Sequence, residues 1–125
     1  MDYKVNNQVV YGDKLASIAR VYESTADILV YNTEDDTEYV DGVNIEDLKP
    51  IEISPKVVKE CKFCKKIVQG RTFIFEKGKY KVEVYDNGYY VICKEGMVTD
   101  KGMVKYLHEL QNIITKLTNG HYIFI

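Results

Sequence analysis

The sequence predicts an α+β fold in which a small N-terminal β-lobe is followed by an antiparallel β-meander packed on one long α-helix. Three observations carry this reading. The first fifty residues are short runs rich in Val, Ile, Tyr and Ala, separated by Ser/Thr/Asp/Asn clusters, as strands and turns are. Ser54-Pro55 then supplies an N-cap residue and a first helical position, which marks a change of regime. Near the C-terminus, Met103, Tyr106, Leu107, Leu110, Ile113, Ile114 and Leu117 recur at three- and four-residue spacing, the apolar stripe of a helix.

In chain order, Lys14–Tyr22, Asp27–Asn32 and Glu38–Val40 are the expected strands of the first lobe, with Asp41-Gly42 as a turn signal. The opening Tyr11-Gly12-Asp13-Lys14-Leu15 and the close Val43-Asn44-Ile45-Glu46-Asp47-Leu48-Lys49-Pro50-Ile51 resemble SH3-like barrels, in which a short helical turn precedes the last strand. Residues 1–53 are therefore expected to form an SH3-like small β-barrel lobe, and residues 54–125 the second part. There, a short helix over 56–62 leads into the meander.

Asn87-Gly88 is the strongest two-residue hairpin signal, and Lys77-Gly78 is a second. Two-residue loops at both places set Tyr85 opposite Tyr90, Val82 opposite Cys93 and Lys81 opposite Lys94, and pair Phe75 with Tyr80 and Phe73 with Val82. Side chains alternate across a strand, so Phe73, Phe75, Tyr80, Val82, Val84, Val91 and Cys93 share one apolar face. A helix from about Gly102 to Thr118, stopped by Asn119-Gly120, covers it. The apolar tail His121-Tyr122-Ile123-Phe124-Ile125 reads as a strand that must pair with a sheet edge, here or in a partner chain, and a homodimer is expected on that ground.

The opposite face of the same register gathers Lys79, Lys81, Glu83, Tyr85, Tyr90, Ile92 and Lys94. Facing lysines disfavour each other, and they are relieved either by Glu83, which lies between them in sequence on a solvated face, or by a ligand anion. With Arg71 nearby, this set suits a small nucleotide-type anion, because tyrosine rings stack on bases while ammonium and guanidinium groups take phosphates. The candidate ligand-binding residues are thus Arg71, Lys79, Lys81, Tyr85, Tyr90 and Lys94.

Charge is unevenly spread. Residues 1–54 carry 4 basic and 12 acidic side chains, a balance of −8, whereas residues 55–125 carry 13 basic and 7 acidic, a balance of +6. Such a division can steer an anion to one lobe and repel it from the other, or draw lobes together. The acidic stretch Glu34-Asp35-Asp36-Thr37-Glu38 is read as a solvated turn that can also imitate nucleic acid toward a basic groove.

Other chemistry is thinly written. At 46% hydrophobic and 29% charged residues the 125-residue chain is not a disordered one. It has no run of about 18 apolar residues and no export-type apolar stretch near Met1, so a cytoplasmic protein without a membrane partner is expected. Cys61-x-x-Cys64 is the spacing of half a zinc site, which Cys93 and His108 could complete, but Cys93 falls on the apolar face and free thiols are expected. His108 falls opposite most of the helix's apolar stripe and is read as a solvated or helix-to-lobe hydrogen-bonding residue, and His121 lies just beyond the helix end. No phosphate loop, metalloprotease helix or nucleophile elbow is present, so neither catalytic residues nor a cofactor is assigned and the chain is read as a non-enzyme.

Glu46-Asp47-Leu48-Lys49-Pro50-Ile51, Lys62-Phe63, the meander, Tyr106-Leu107-His108-Glu109-Leu110-Gln111-Asn112 and Leu117-Thr118-Asn119-Gly120 together resemble a group of small phage and prophage proteins. These read DLKPIPLTEEWLLKFGF in the middle and YVHQLQNLYFALTG near the end. The likeness spans roughly residues 42–120, and this chain departs from it in Cys61, Cys64 and the basic run 56–81. The resemblance implies a phage setting and a β-lobe, with no activity attached. The expected function is a phage-type, non-enzymatic binding protein that sequesters a nucleotide-type immune signal as a counter-defence sponge. The alternative is a protein-binding inhibitor of a host defence factor, or a weak nucleic-acid-binding module.

Overall fold

The computed structural model describes residues 2–61, 65–69, 72–118 and 125. The fold is a mostly-β α+β arrangement in two compact units, Met1–Ile51 and Glu52–Ile125.

The first unit is one antiparallel sheet. Its strands are β1 (Gln8–Tyr11), β2 (Lys14–Val21), β3 (Thr25–Tyr31), β4 (Thr37–Asn44) and β5 (Leu48–Lys49), in the order β4-β3-β2-β1-β5. A 3-10 turn, Ile45–Asp47, precedes β5, and Asn44 caps it by accepting from the Glu46 N–H at 3.2 Å. The expected helical turn before the last strand is therefore present. The expected closed barrel is not found: β4 and β5 are opposite edges of the sheet and do not pair with each other. Alternation sends Val9, Ala16, Ile18, Ala26, Ile28, Val30, Val43 and Leu48 to one face, where they form the buried core with Tyr3. Strand β1 lay unread in the sequence because Gln8 and the preceding asparagines break the apolar pattern.

Asp41-Gly42 is not a turn. It lies inside β4, where the register jumps between Ala26 and Ile28, so that Asp41 and Gly42 together oppose Asp27. Gly42 takes a φ of 65°, and the extra residue makes a β-bulge. A second bulge falls on the other side of the same residue, between Ile18 and Arg20 of β2, with Arg20 opposite Asp27.

In the second unit, α1 (Pro55–Glu60) starts as the Ser-Pro pair predicts, with the Val57 N–H donating to Ser54 Oγ at 3.2 Å. A second antiparallel sheet follows: β6 (Lys65–Gln69), β7 (Thr72–Lys77), β8 (Tyr80–Tyr85), β9 (Tyr89–Lys94) and β10 (Met97–Met103), each paired with the next. The β7–β8 loop is Gly78-Lys79 rather than Lys77-Gly78, so Phe75 faces Val82 and Phe73 faces Val84. That shift of two keeps each side chain on its expected face.

The β8–β9 register differs by one, which has a larger effect. Val84 faces Tyr90, Val82 faces Ile92, Lys81 faces Cys93 and Tyr80 faces Lys94. The loop holds three residues, Asp86-Asn87-Gly88. The Gly88 N–H closes a turn onto the Tyr85 carbonyl at 3.1 Å, and Gly88 has a φ of 93°. Tyr90 and Ile92 consequently join Phe75, Val82 and Val84 on the buried face, while Val91 and Cys93 move to the other.

Residues 97–103, expected in part as the start of the long helix, form β10 instead. Glu95 and Gly96, with φ of 52° and 83°, make the two-residue turn into it. Helix α2 begins only at Leu107 and ends at Leu117. Glu109 fixes that start: its Oε1 accepts from the Tyr106 N–H at 2.9 Å and the Lys105 N–H at 3.1 Å. The helix buries Leu107, His108, Leu110, Gln111 and Ile114. His108 is 2% exposed and stacks on Tyr106, so of its two expected roles the solvated one is excluded. Residues 119–124, with the expected stop, His121 and most of the tail strand, lie outside the described residues. No helix is long and apolar enough to cross a membrane among the described residues.

Candidate functional site

Of the six residues expected to bind an anion, the five that are described are not gathered on one face. Arg71 lies outside the described residues. Tyr90 is 5% exposed, donates its hydroxyl to Asp100 Oδ2 at 2.9 Å, and belongs to the buried face. Burial first, then that carboxylate, push its hydroxyl pKa up to about 12. Tyr85 packs against Tyr89 with the rings tilted at 57° and their centres 5.4 Å apart. Lys81 pairs with Glu83 at 3.3 Å on its own strand, and Lys79 pairs with Glu95 at 3.3 Å. Lys94 lies over the Tyr80 ring at 5.7 Å, so the facing lysines whose repulsion called for a ligand do not face each other. Cys64 is outside the described residues, and no group of three metal-ligating side chains occurs among those described.

The structure gathers a different polar set, on the outer face of the first sheet. Alternation along β2, β3 and β4 places Arg20, Asp27, Leu29 and Tyr39 on the side opposite the core. Asp27 stands at the centre, flanked by the two bulges. Its Oδ1 accepts the Gly42 N–H at 2.9 Å, and its Oδ2 accepts the hydroxyls of Tyr22 and Tyr39, both at 3.2 Å. The backbone donor first, then the tyrosine hydroxyls, hold the carboxyl below the ordinary carboxylate range, against a desolvation that works the other way.

Arg20 completes the group. Its guanidinium faces first the Tyr22 hydroxyl and then Tyr39 and Asp27, which raise its pKa. Burial and the neighbouring Asp27 also raise that of Tyr39. The carboxylate is 7% exposed because the tyrosines cover it, whereas Tyr22 and Tyr39 are 49% and 50% exposed. The rings therefore stand at the surface with their hydroxyl ends tied down. Beside them on the same face, the Ser17 hydroxyl and the Tyr31 hydroxyl lie 3.0 Å apart in a second such tie.

Such an arrangement offers large, rigid, amphipathic surface at small entropic cost, since the ring orientations are set before a partner arrives. Sequence reasoning missed it because Tyr22, Asp27 and Tyr39 belong to three segments, joined only by the bulges. The available signal was the interruption of alternation at Arg20 and at Asp41-Gly42.

Of the other large apolar side chains exposed among the described residues, Val5 precedes β1, and Met97, Val98 and Met103 line edge strand β10. A register shift between Val98 and Asp100 and the charge of Lys101 interrupt that edge, as edges protected from pairing are interrupted. No protein-family model matches the chain, and no curated protein or solved structure matches it.

Proposed function

We propose that this protein is a non-enzymatic binding module whose partner is another protein, engaged by the outer face of the first sheet. The observation that carries this reading is the pair of half-exposed tyrosines fixed by one covered carboxylate. Tyrosine and arginine dominate the energetic centres of protein interfaces, and here Tyr22, Tyr39 and Arg20 adjoin. The strand order of the first unit, with its 3-10 turn before β5, supports reading it as an SH3-like lobe that has not closed. The likeness to small phage proteins supports a counter-defence setting, in which such a module inhibits a host factor. Sequestration of a nucleotide has less support, because the β8–β9 register divides its binding set between two faces.

The test is capture from bacterial lysate by the immobilised full chain, compared with the Tyr22→Ser/Tyr39→Ser double variant, after circular dichroism shows that both are folded. A protein retained by the parent and lost by the variant supports the reading. Identical capture by the two overturns it.

A further inference from the structure

We infer that the partner of this face is cationic, a protein surface rich in lysine and arginine of the kind that otherwise holds nucleic acid. The inference rests on the reading of the face as a protein-binding surface and adds the chemistry of what it binds. A sheet face bearing tyrosines is, on its aromatic content alone, equally a platform for stacking nucleobases. The sign of the surrounding charge decides between the two.

Glu23 follows Tyr22 in the turn after β2, and Asp41 lies near Tyr39 on edge strand β4, while Glu38, opposite Val30, adds its charge on the other side of that edge; all three are exposed. The turn that leads into β4 adds Glu34, Asp35 and Asp36, also exposed. None of these six carboxylates makes an ion pair among the described residues. Arg20, the cation beside these rings, is held by Tyr22, Tyr39 and Asp27, and Lys49 lies on β5 at the opposite edge of the sheet. A phosphate backbone approaching here meets uncompensated like charge, whereas a basic protein surface meets complementary charge at the rim and two ordered rings at the centre.

This division of labour sets the expected behaviour. Rim charge governs the rate of encounter and its salt dependence, and the central rings govern how long the complex lasts. An acidic surface alone attracts any polycation, so the inference requires that charge-neutral changes at the rings weaken binding.

The experiment measures binding of the full chain to three fluorescent probes by anisotropy: a twelve-residue Lys/Arg-rich peptide containing two leucines, its Glu/Asp counterpart, and a twelve-nucleotide single-stranded DNA. Each is read at low and at physiological salt. The expected result is binding of the cationic peptide alone, weakened by salt, and at least tenfold weaker in the Tyr22→Ser/Tyr39→Ser variant, which carries the same net charge. Tyr39→Phe keeps the ring, loses its hydrogen bond to Asp27, and is expected to fall between the two. Equal affinity of parent and double variant for the cationic peptide overturns the inference, because rim charge alone then explains it. Preference for the DNA or for the acidic peptide overturns it as well. If lysate capture depends on the tyrosines while the captured protein is acidic and salt-insensitive, the inference fails and the protein-binding reading stands.

Discussion

Tyr90 lies across Gly102 in the β9–β10 pair, so close that a Cβ at residue 102 would stand 3.2 Å from the tyrosine hydroxyl oxygen. The missing side chain is what gives the ring its place, and the ring in turn covers the backbone that glycine leaves bare. Its hydroxyl then reaches Asp100, two residues before Gly102 on the same strand. Tyr90 is thus a wall of the second unit, and replacing it tests packing.

Tyr90→Ala is expected to destabilise the protein by about 3 kcal/mol or more, the range for removing a buried aromatic ring, whereas Tyr85→Ala, at a half-exposed position, costs about 1 kcal/mol or less. Urea unfolding of the two variants beside the parent checks this. Equal midpoints for both would place Tyr90 at the surface and restore the register in which it faces Tyr85.

The same hydroxyl gives an alkaline signature. Its folded pKa of about 12 lies above the ordinary tyrosine value near 10. The unfolded chain therefore releases this proton first. Stability contributed by the neutral hydroxyl is fully present below pH 10 and is lost as pH rises from about 10 through about 12. Tyr90→Phe is expected to flatten that part of the pH profile of thermal unfolding, at a cost of about 1 kcal/mol at neutral pH for the lost hydrogen bond. A profile unchanged by the substitution would assign the alkaline loss to other tyrosines.

Gly88 is constrained more severely. With a φ of 93°, a Cβ there would stand 2.2 Å from the Val104 carbonyl oxygen, and the Val104 N–H donates to the Gly88 carbonyl at 3.1 Å. Both the turn and the contact with the segment between β10 and α2 depend on its being glycine. Gly88→Ala is expected to cost more than about 1 kcal/mol, read as a lowered urea midpoint, whereas Asn87→Ala at the exposed neighbouring position is expected to shift it less. The reverse order would mean that this loop does not meet residue 104.

Much of this fold was legible from local signals. The Ser54-Pro55 start, the strands β2 and β3 and the apolar spacing of Leu107, Leu110 and Ile114 each depend on a few neighbouring residues, and each is found. Longer-range register was not. Asn87-Gly88 signals a hairpin correctly, but the sequence does not distinguish a two-residue loop from a three-residue one that ends in a left-handed glycine. One residue of difference exchanges the faces of Tyr90, Ile92, Val91 and Cys93. The tyrosine face on the first sheet depends on two bulges, which a strand-by-strand reading cannot place. Met97–Met103 shares its glycine and methionines with a plausible helix start, and only its pairing with β9 makes it a strand.

Glu109 shows how narrowly the start of α2 is set, since one carboxylate oxygen accepts two otherwise unpaired N–H groups, those of Lys105 and Tyr106. Glu109→Ala is expected to cost about 1 kcal/mol, and Glu109→Gln, which retains an acceptor, less. Amide hydrogen exchange localises the effect: protection at residues 105 and 106 should fall while that of β8 is unchanged. Uniform loss across the unit would show that Glu109 supports packing and not the helix start.

Asp27 provides the complementary acid-side test. Its carboxyl is held below the ordinary value chiefly by the Gly42 N–H and then by the two tyrosine hydroxyls, so the folded state binds its proton less readily than the unfolded chain does. The stability it contributes is therefore present above the ordinary aspartate range near pH 4 and is lost as pH falls through the lower, folded value. Asp27→Asn keeps an acceptor for the backbone donor but has no charge to titrate, so the difference in stability from the parent should shrink as the pH is lowered toward 2. Thermal unfolding between pH 2 and 7 measures it. Asp27 also orders both rings, so Asp27→Asn at neutral pH should broaden the Tyr22 and Tyr39 ring resonances in NMR spectra while leaving the core methyls of Ile18 and Ile28 in place. Sharp, unshifted tyrosine signals would show that packing on the sheet, and not the carboxylate, sets the orientation of the face.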